Sequence, residues 1–416
     1  MRNPIIVDSA DSRRYLWLLG ATIFTAILSV IALVVVIDPY GIYQVTPARA
    51  GLNWVKPNPT RYQNEIKLTH VVALKPDVLI FGNSRAEIGF NPEGSLLSNG
   101  NALAYNLAIP GTSIATAYEQ LAYLLRIGQK PKLIVIGLEF LDFVDPPGVT
   151  PIAAVVPNLP QQHPIEKRFW QFDSLFSFTS LKDALRTVAI QLEKSPETIT
   201  SRGFNPLKQY RLHAQAEGYY ALFSHKAREN AKVYLRKAGG SLNGADFGRL
   251  SAMIELAQRS DIQTKIVIYP YHAQILTLFE LTGLWPFFED WKQRVIRDVD
   301  AIKRPSPEAG VELFDFSGYS TYACERIPDK GDRKTETRWY WEGGHFKKAL
   351  GEKILERILA EPSAGPKEDP EFGVELESGN WAVNQRRIVA ERARCLEANP
   401  ALFDDSAKLV AALRKR

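Results

Sequence analysis

The sequence predicts an α/β fold, a parallel sheet flanked by helices, behind one N-terminal transmembrane helix. Three observations predict it. Short, mostly apolar runs bounded by breakers occur at 77–81, 133–136, 265–269 and 311–314. Amphipathic helical patterns separate them, and the stretch 15–37 carries no charge at all. Buried parallel strands read as such short apolar runs, and their alternation with helices is the signature of βαβ units.

The first strand, 77–81, follows a helical pattern over 61–74 that ends at Lys75-Pro76, and it leads into the turn Gly82-Asn83-Ser84-Arg85. A helix carrying Ile114, Ala117, Leu121, Leu124 and Leu125 then passes through Gly128 and Pro131 into 133–136. The strand at 265–269 follows a helix over 245–259, and that at 311–314 follows one over 291–302. Such connections place helices on both faces of the sheet. Between 146 and 244 proline-rich loops and helical pieces with Trp170, Phe172, Tyr219 and Tyr220 replace the strand rhythm, which marks an inserted cap. Its aromatics are expected mainly to pack a core. There is no internal repeat.

With 416 residues and 45% hydrophobic content the chain has enough apolar material for one large core or two modest ones, which excludes wholesale disorder. Lys and Arg (51) exceed Asp and Glu (46) by only five and are interspersed with them, so nucleic acid is not an expected partner. The two cysteines, Cys324 and Cys395, lack the paired spacing of a zinc site or redox motif. Neither metal nor cofactor is expected. Two free, partly buried thiols are the expected state, with a disulfide as the alternative outside the cytoplasm.

At about 1.5 Å per residue, a helix over 15–37 is long enough to cross a hydrocarbon core of ~30 Å. A cleaved signal peptide would need a shorter apolar region, and the small residues Ala48 and Ala50 lie too far downstream for its cleavage site. The Arg13-Arg14 pair is similar to a twin-arginine signal, but topology alone accounts for arginines at the inner edge of a span. Arg2, Arg13 and Arg14 keep 1–14 in the cytoplasm and export the rest, as an uncleaved anchor followed by a Pro-rich stalk and lead-in helix over 38–70. The main domain then covers 71–360, with the cap at about 146–244. A Pro- and acid-rich linker and a helical tail occupy 361–416, with Arg386, Arg387, Arg392 and Arg394 on a solvated face.

In open α/β sheets ligands bind beyond the carboxyl ends of the strands, where Ser84 stands. A serine hydroxyl needs a base to become a nucleophile, and His345, in Trp341-Glu342-Gly343-Gly344-His345-Phe346, is the candidate, in a loop beside a helix start. Glu342, three residues earlier, is suited to fix the imidazole tautomer and to stabilise its protonated form. The backbone N–H groups of Ser84 and Gly111 are candidates for an oxyanion site. Arg85 is expected to pair with Glu87 or Asp142, or else to meet an anionic ligand. His272 lies at the carboxyl end of the 265–269 strand, either lining the pocket or serving structure.

The order of Gly82-Asn83-Ser84, the segment from Asn106 to Gly111, Gly137-Leu138-Glu139 and Glu342-Gly343-Gly344-His345 resembles the four blocks of the SGNH hydrolase superfamily. The resemblance covers about 77–358 and implies a three-layer, flavodoxin-like sandwich. It implies a serine nucleophile, a glycine and an asparagine in the oxyanion hole, and a carboxylate–histidine pair. The variant Gly-Asn-Ser-Arg resembles the membrane-anchored branches that add or remove acetyl groups on alginate and peptidoglycan or transfer D-alanine to teichoic acids. Two departures stand out. Glu139 replaces the asparagine of the third block, and an ionised carboxylate cannot donate to an oxyanion; Glu342 replaces the commoner aspartate.

The resulting expectation is acyl transfer or ester hydrolysis on an envelope polysaccharide through an acyl-Ser84 intermediate, without a cofactor. Asn106, His272, Arg85 and Glu139 are the residues expected to face substrate. A multi-pass membrane acyltransferase is the expected protein partner, and the main domain is expected in the periplasm or its equivalent. The rival is an anchored glycan-binding or assembly protein whose oxyanion hole is lost at Glu139.

Overall fold

A computed structural model describes residues 9–57, 59, 61–98, 102–150, 164–166, 169–193, 198–303, 310–360 and 372–415. The chain divides into two compact units, one of residues 1–70 with 164–199, the other of 71–163 with 200–416.

The larger unit is built on a six-stranded sheet. Its strands are β1 (Val78–Phe81), β2 (Ala104–Asn106), β3 (Leu133–Leu138), β6 (Gln263–Ile268), β7 (Val311–Asp315) and β10 (Val374–Glu375), after the intervening pair β4 (Val144–Asp145) and β5 (Ser241–Leu242) and the hairpin β8 (Tyr340–Glu342) and β9 (His345–Phe346). The order is β10-β7-β6-β3-β1-β2, and every pairing is parallel except that of β10 with β7. The expected parallel sheet is therefore present, with its four apolar runs as the central strands. β1 and β3 are buried because helices cover the sheet, and neither carries a charged residue. Apolar burial of such side chains contributes ~25 cal/mol per Å² removed from water. An aromatic cluster continues the core, with Phe140 edge-on to Phe279 at 5.3 Å and to Phe288 at 5.2 Å.

Three features depart from expectation. β2 and β10, of three and two residues, extend the sheet at its edges; neither has an apolar run long enough to announce itself. The C-terminal tail is part of this unit: helices Trp381–Ala398 and Pro400–Arg414 bury Ile388, Cys395, Phe403 and Val410. Arg387 there pairs with Glu391, and Arg392 forms a two-pronged pair with Glu280, so only Arg386 and Arg394 keep the exposed positions expected of all four. Cys324 and Cys395 form a disulfide across a Cα separation of 5.7 Å, which corrects the expectation of free thiols. Docking of the tail helix brings the two together, and a sequence separation of 71 gives no sign of it. The acidic linker at 361–371 lies outside the described residues.

The smaller unit gathers the apolar helix Ser9–Ile37, the segment after it, and helices Phe169–Phe176 and Phe178–Ile190. Its helix over Ser12–Ile37 is long and apolar enough to cross a membrane. Trp170 packs against Tyr40 and Ile66, and Ala184 against Val34 and Ile37. The insertion expected as one cap over 146–244 is thus divided. Residues 164–199 belong with the N-terminal segment, whereas helices Lys208–Glu217 and Tyr219–Lys237 belong with the sheet, and 151–163 are outside the described residues.

Candidate active site

β1 ends at Phe81, and the chain turns through Gly82 at φ +147°, where a Cβ would collide with the Tyr269 hydroxyl. Glycine alone suits that backbone and that approach. The Asn83 side chain accepts from the Arg85 N–H at 3.1 Å and caps the six-residue helix Ser84–Gly89. Ser84 is therefore the first residue of this helix, at the carboxyl end of a central strand.

His345 reaches it from a different supersecondary element. Rather than a loop, it occupies β9, paired antiparallel with β8 across the turn Gly343-Gly344. Phe346 packs edge-on against Phe90 at 5.5 Å, and its ring fills the space a side chain at Gly89 would need. Gly351, in the helix Lys348–Leu359, likewise leaves room for the Gly89 carbonyl. The hairpin and its following helix thus seat directly on the Ser84 helix. The Ser84 Oγ lies 2.9 Å from the His345 Nε2, bridging 261 positions of sequence.

The Glu342 carboxylate bonds the His345 Nδ1, and its other oxygen accepts the Gly344 N–H at 2.7 Å. Glu342 is 1% exposed. Burial alone would push its carboxyl up, yet the His345 ring, the Gly344 N–H and Arg85 outweigh it and hold the group below its ordinary range. Glu342 therefore stays ionised at neutral pH and accepts from an Nδ1–H tautomer, which leaves the Nε2 lone pair facing the Ser84 hydroxyl.

Arg85 takes neither Glu87 nor Asp142 as its ion-pair partner. It pairs with Glu139, while its Nε donates to the Gly344 carbonyl at 2.6 Å and its guanidinium lies 5.1 Å from the Tyr271 ring centroid. Glu139 also accepts from Leu141 N–H at 3.2 Å and the Tyr271 hydroxyl at 3.3 Å. Both residues are committed to one another, and the Arg85 guanidinium compensates the charge of Glu139. Glu87 is buried and accepts from the Asn205 side chain at 3.1 Å.

Two residues expected to face substrate are wholly buried. The Asn106 amide donates to the carbonyls of Ala86 and Phe90, both at 2.8 Å, and its oxygen accepts the Ala108 N–H, so it braces the Ser84 helix from behind. His272 caps helix Ala273–Thr282 through Nδ1, and its Nε2 meets the Glu325 carbonyl at 2.8 Å. Burial pushes its imidazole down to about 4, so it is neutral at physiological pH. Gly111 stands on an exposed turn at φ +71°, in a loop fastened to the strand end by Ile109 N–H bonding the Gly82 carbonyl at 3.0 Å.

Two further residues border the site, Tyr210 without a sequence signal and Asp142 in a role other than the Arg85 partner expected of it. The Tyr210 ring stands edge-on to His345 at 6.2 Å, delivered by helix Lys208–Glu217. Asp142 is hydrogen-bonded to Asn83; burial pushes its carboxyl up to about 6, and Asp246 adds to the rise against Arg85 and Lys237. Only contacts across the fold place either residue at the site.

No family model matches this chain, and no curated protein matches it. Among solved structures it is similar to one described as the crystal structure of TesA, at 12% identity and a TM-score of 0.27, over 68% of this chain and 94% of that one. A likeness of that size carries no argument.

Proposed function

We propose that the protein is a membrane-anchored serine acyltransferase or esterase in which Ser84, His345 and Glu342 form the catalytic triad. The observation that carries the reading is the 2.9 Å approach of Ser84 Oγ to His345 Nε2, with Glu342 behind the ring. His345 takes the Ser84 proton as Oγ attacks an ester carbonyl, and the imidazolium is stabilised by Glu342. The oxyanion is received by the backbone N–H groups of Ser84 and Gly111. Collapse of the tetrahedral intermediate breaks the ester C–O bond; His345 returns the proton to the leaving alkoxide, and acyl-Ser84 remains. In the second half His345 deprotonates the acceptor, water or a sugar hydroxyl, which attacks acyl-Ser84 and regenerates the serine.

The substrate class follows the motif resemblance: an acyl ester on an envelope polysaccharide, with a multi-pass membrane acyltransferase as the donor partner and no cofactor. The Cys324–Cys395 disulfide supports placing the main domain outside the cytoplasm, since such bonds persist in oxidising compartments. The positive N-terminal flank supports the same orientation. A non-catalytic glycan-binding reading is favoured by one observation, the Glu139–Arg85 pair where the resemblance implies an oxyanion asparagine.

The test is reaction of the full-length protein with a fluorophosphonate. Labelling is expected in wild type, and a fall of about 1,000-fold or more in Ser84→Ala and His345→Ala. Equal labelling of all three, or none in wild type, sinks the catalytic reading.

A further inference from the structure

In the smaller unit, helix Phe178–Ile190 turns Ser180, Asp183, Ala184, Thr187 and Ile190 inward. A second apolar stripe faces out. Phe178 is 85% exposed and Leu192, just past the helix, 89%, with Leu185 and Val188 between them. Positions 178, 185 and 192 are spaced at sevens and share a face, turned about 160° from the buried one. Phe172 and Phe176 on the preceding helix are also exposed, their rings 4.2 Å apart. An apolar surface of this extent is unusual against water alone.

Its surroundings say what covers it. Ala184 packs against Val34 and Ile37, with Val30 and Leu33 in the same cluster, so this helix abuts roughly the last 10 Å of the apolar N-terminal helix at ~1.5 Å per residue. Tyr40 donates to Asp183 at 2.7 Å, and the Gln191 side chain bonds both the N–H and the carbonyl of Val55, which fixes the arrangement. The N-terminal helix beside it also exposes apolar side chains, Leu28 among them. Interfacial helices bury their apolar faces about 5–10 Å into the headgroup and acyl boundary, the depth this packing sets.

We propose that helices Phe169–Phe176 and Phe178–Ile190 lie in the outer lipid boundary beside the span and bury Phe172, Phe178, Leu185 and Leu192 among acyl chains. The inference rests on the reading that 15–37 crosses the membrane, and is independent of the triad. It makes the anchor a collar set on the bilayer surface instead of a single flexible tether.

The test uses the full chain reconstituted in phosphatidylethanolamine–phosphatidylglycerol vesicles. Single-cysteine variants Phe178→Cys, Leu192→Cys and Phe172→Cys carry an environment-sensitive fluorophore; Leu28→Cys marks the span and the exposed Ala407→Cys marks the aqueous domain. The native cysteines are consumed in the disulfide, so labelling is confined to the new thiol. Lipid nitroxides near the headgroup are expected to remove most of the emission at 178, 192 and 172, deep nitroxides that at 28, and neither that at 407. Quenching at 28 with 178, 192 and 172 behaving like 407 overturns the collar while sparing the span, and points to water or a protein partner on that face. No quenching at 28 overturns the span and the collar with it.

Discussion

Two buried glutamates flank the Ser84 helix, one at the end of β3 and one in the β8–β9 hairpin, and each is bonded to a basic side chain. Glu139 holds Arg85, and the pair is a clamp that also grips the Gly344 carbonyl. Glu342 holds His345, whose far nitrogen faces a serine hydroxyl. A buried carboxylate acquires a different job from the kind of side chain it holds and from what lies beyond that partner. The first pair positions the hairpin; the second is proposed to move protons across it.

That contrast is broken most severely at Glu342. Glu342→Gln keeps the shape but favours the wrong imidazole tautomer, and is expected to lower fluorophosphonate labelling about 100- to 10,000-fold with little change in fold. Arg85→Met leaves Glu139 buried without its partner, at a cost of about 3–5 kcal/mol measured by denaturant unfolding, with slower labelling because the hairpin loosens. Glu139→Gln is milder, since Arg85 keeps the Gly344 carbonyl and an amide oxygen; about 1–3 kcal/mol of stability is expected to be lost. If Glu139→Gln abolishes labelling as thoroughly as Glu342→Gln, the division into clamp and proton carrier fails.

A separate effect is in pH dependence, away from both pairs. His272 has a folded pKa below its unfolded value of 6.5, so between 6.5 and about 4 the unfolded state binds the extra proton and stability falls as pH falls. Up to about 3 kcal/mol rides on this group. His272→Asn keeps a side chain able to cap helix Ala273–Thr282, and its unfolding free energy is expected to decline less across that window. An unchanged slope would show that other groups set the acid sensitivity.

The central strands and the Ser84 turn were legible because they are local. Four apolar runs between breakers encode buried strands, and Gly82 before Asn83 and Ser84 encodes a strand-to-helix turn. Edge strands of two or three residues carry too little pattern, and the division of the insertion depends on contacts of Trp170 and Ala184 with residues far upstream. Arg85 had two acidic candidates, Glu87 and Asp142, and packing selected instead the Glu139 that the sequence offered as a substrate contact. Asn106 and His272 were polar groups at suggestive places, but polarity does not say which way a side chain turns.

Composition and local pattern alone determined an α/β sheet, an apolar helix long enough to span a membrane, and a short set of candidate site residues, since these depend on what lies within a few positions. Tertiary structure decided that Cys324 meets Cys395, that Glu139 neutralises Arg85, and that Ser84 and His345 stand at hydrogen-bonding distance. Each is a contact between distant segments whose geometry is set by how Phe346, Gly89 and the tail helices pack, and that geometry is a property of the whole fold.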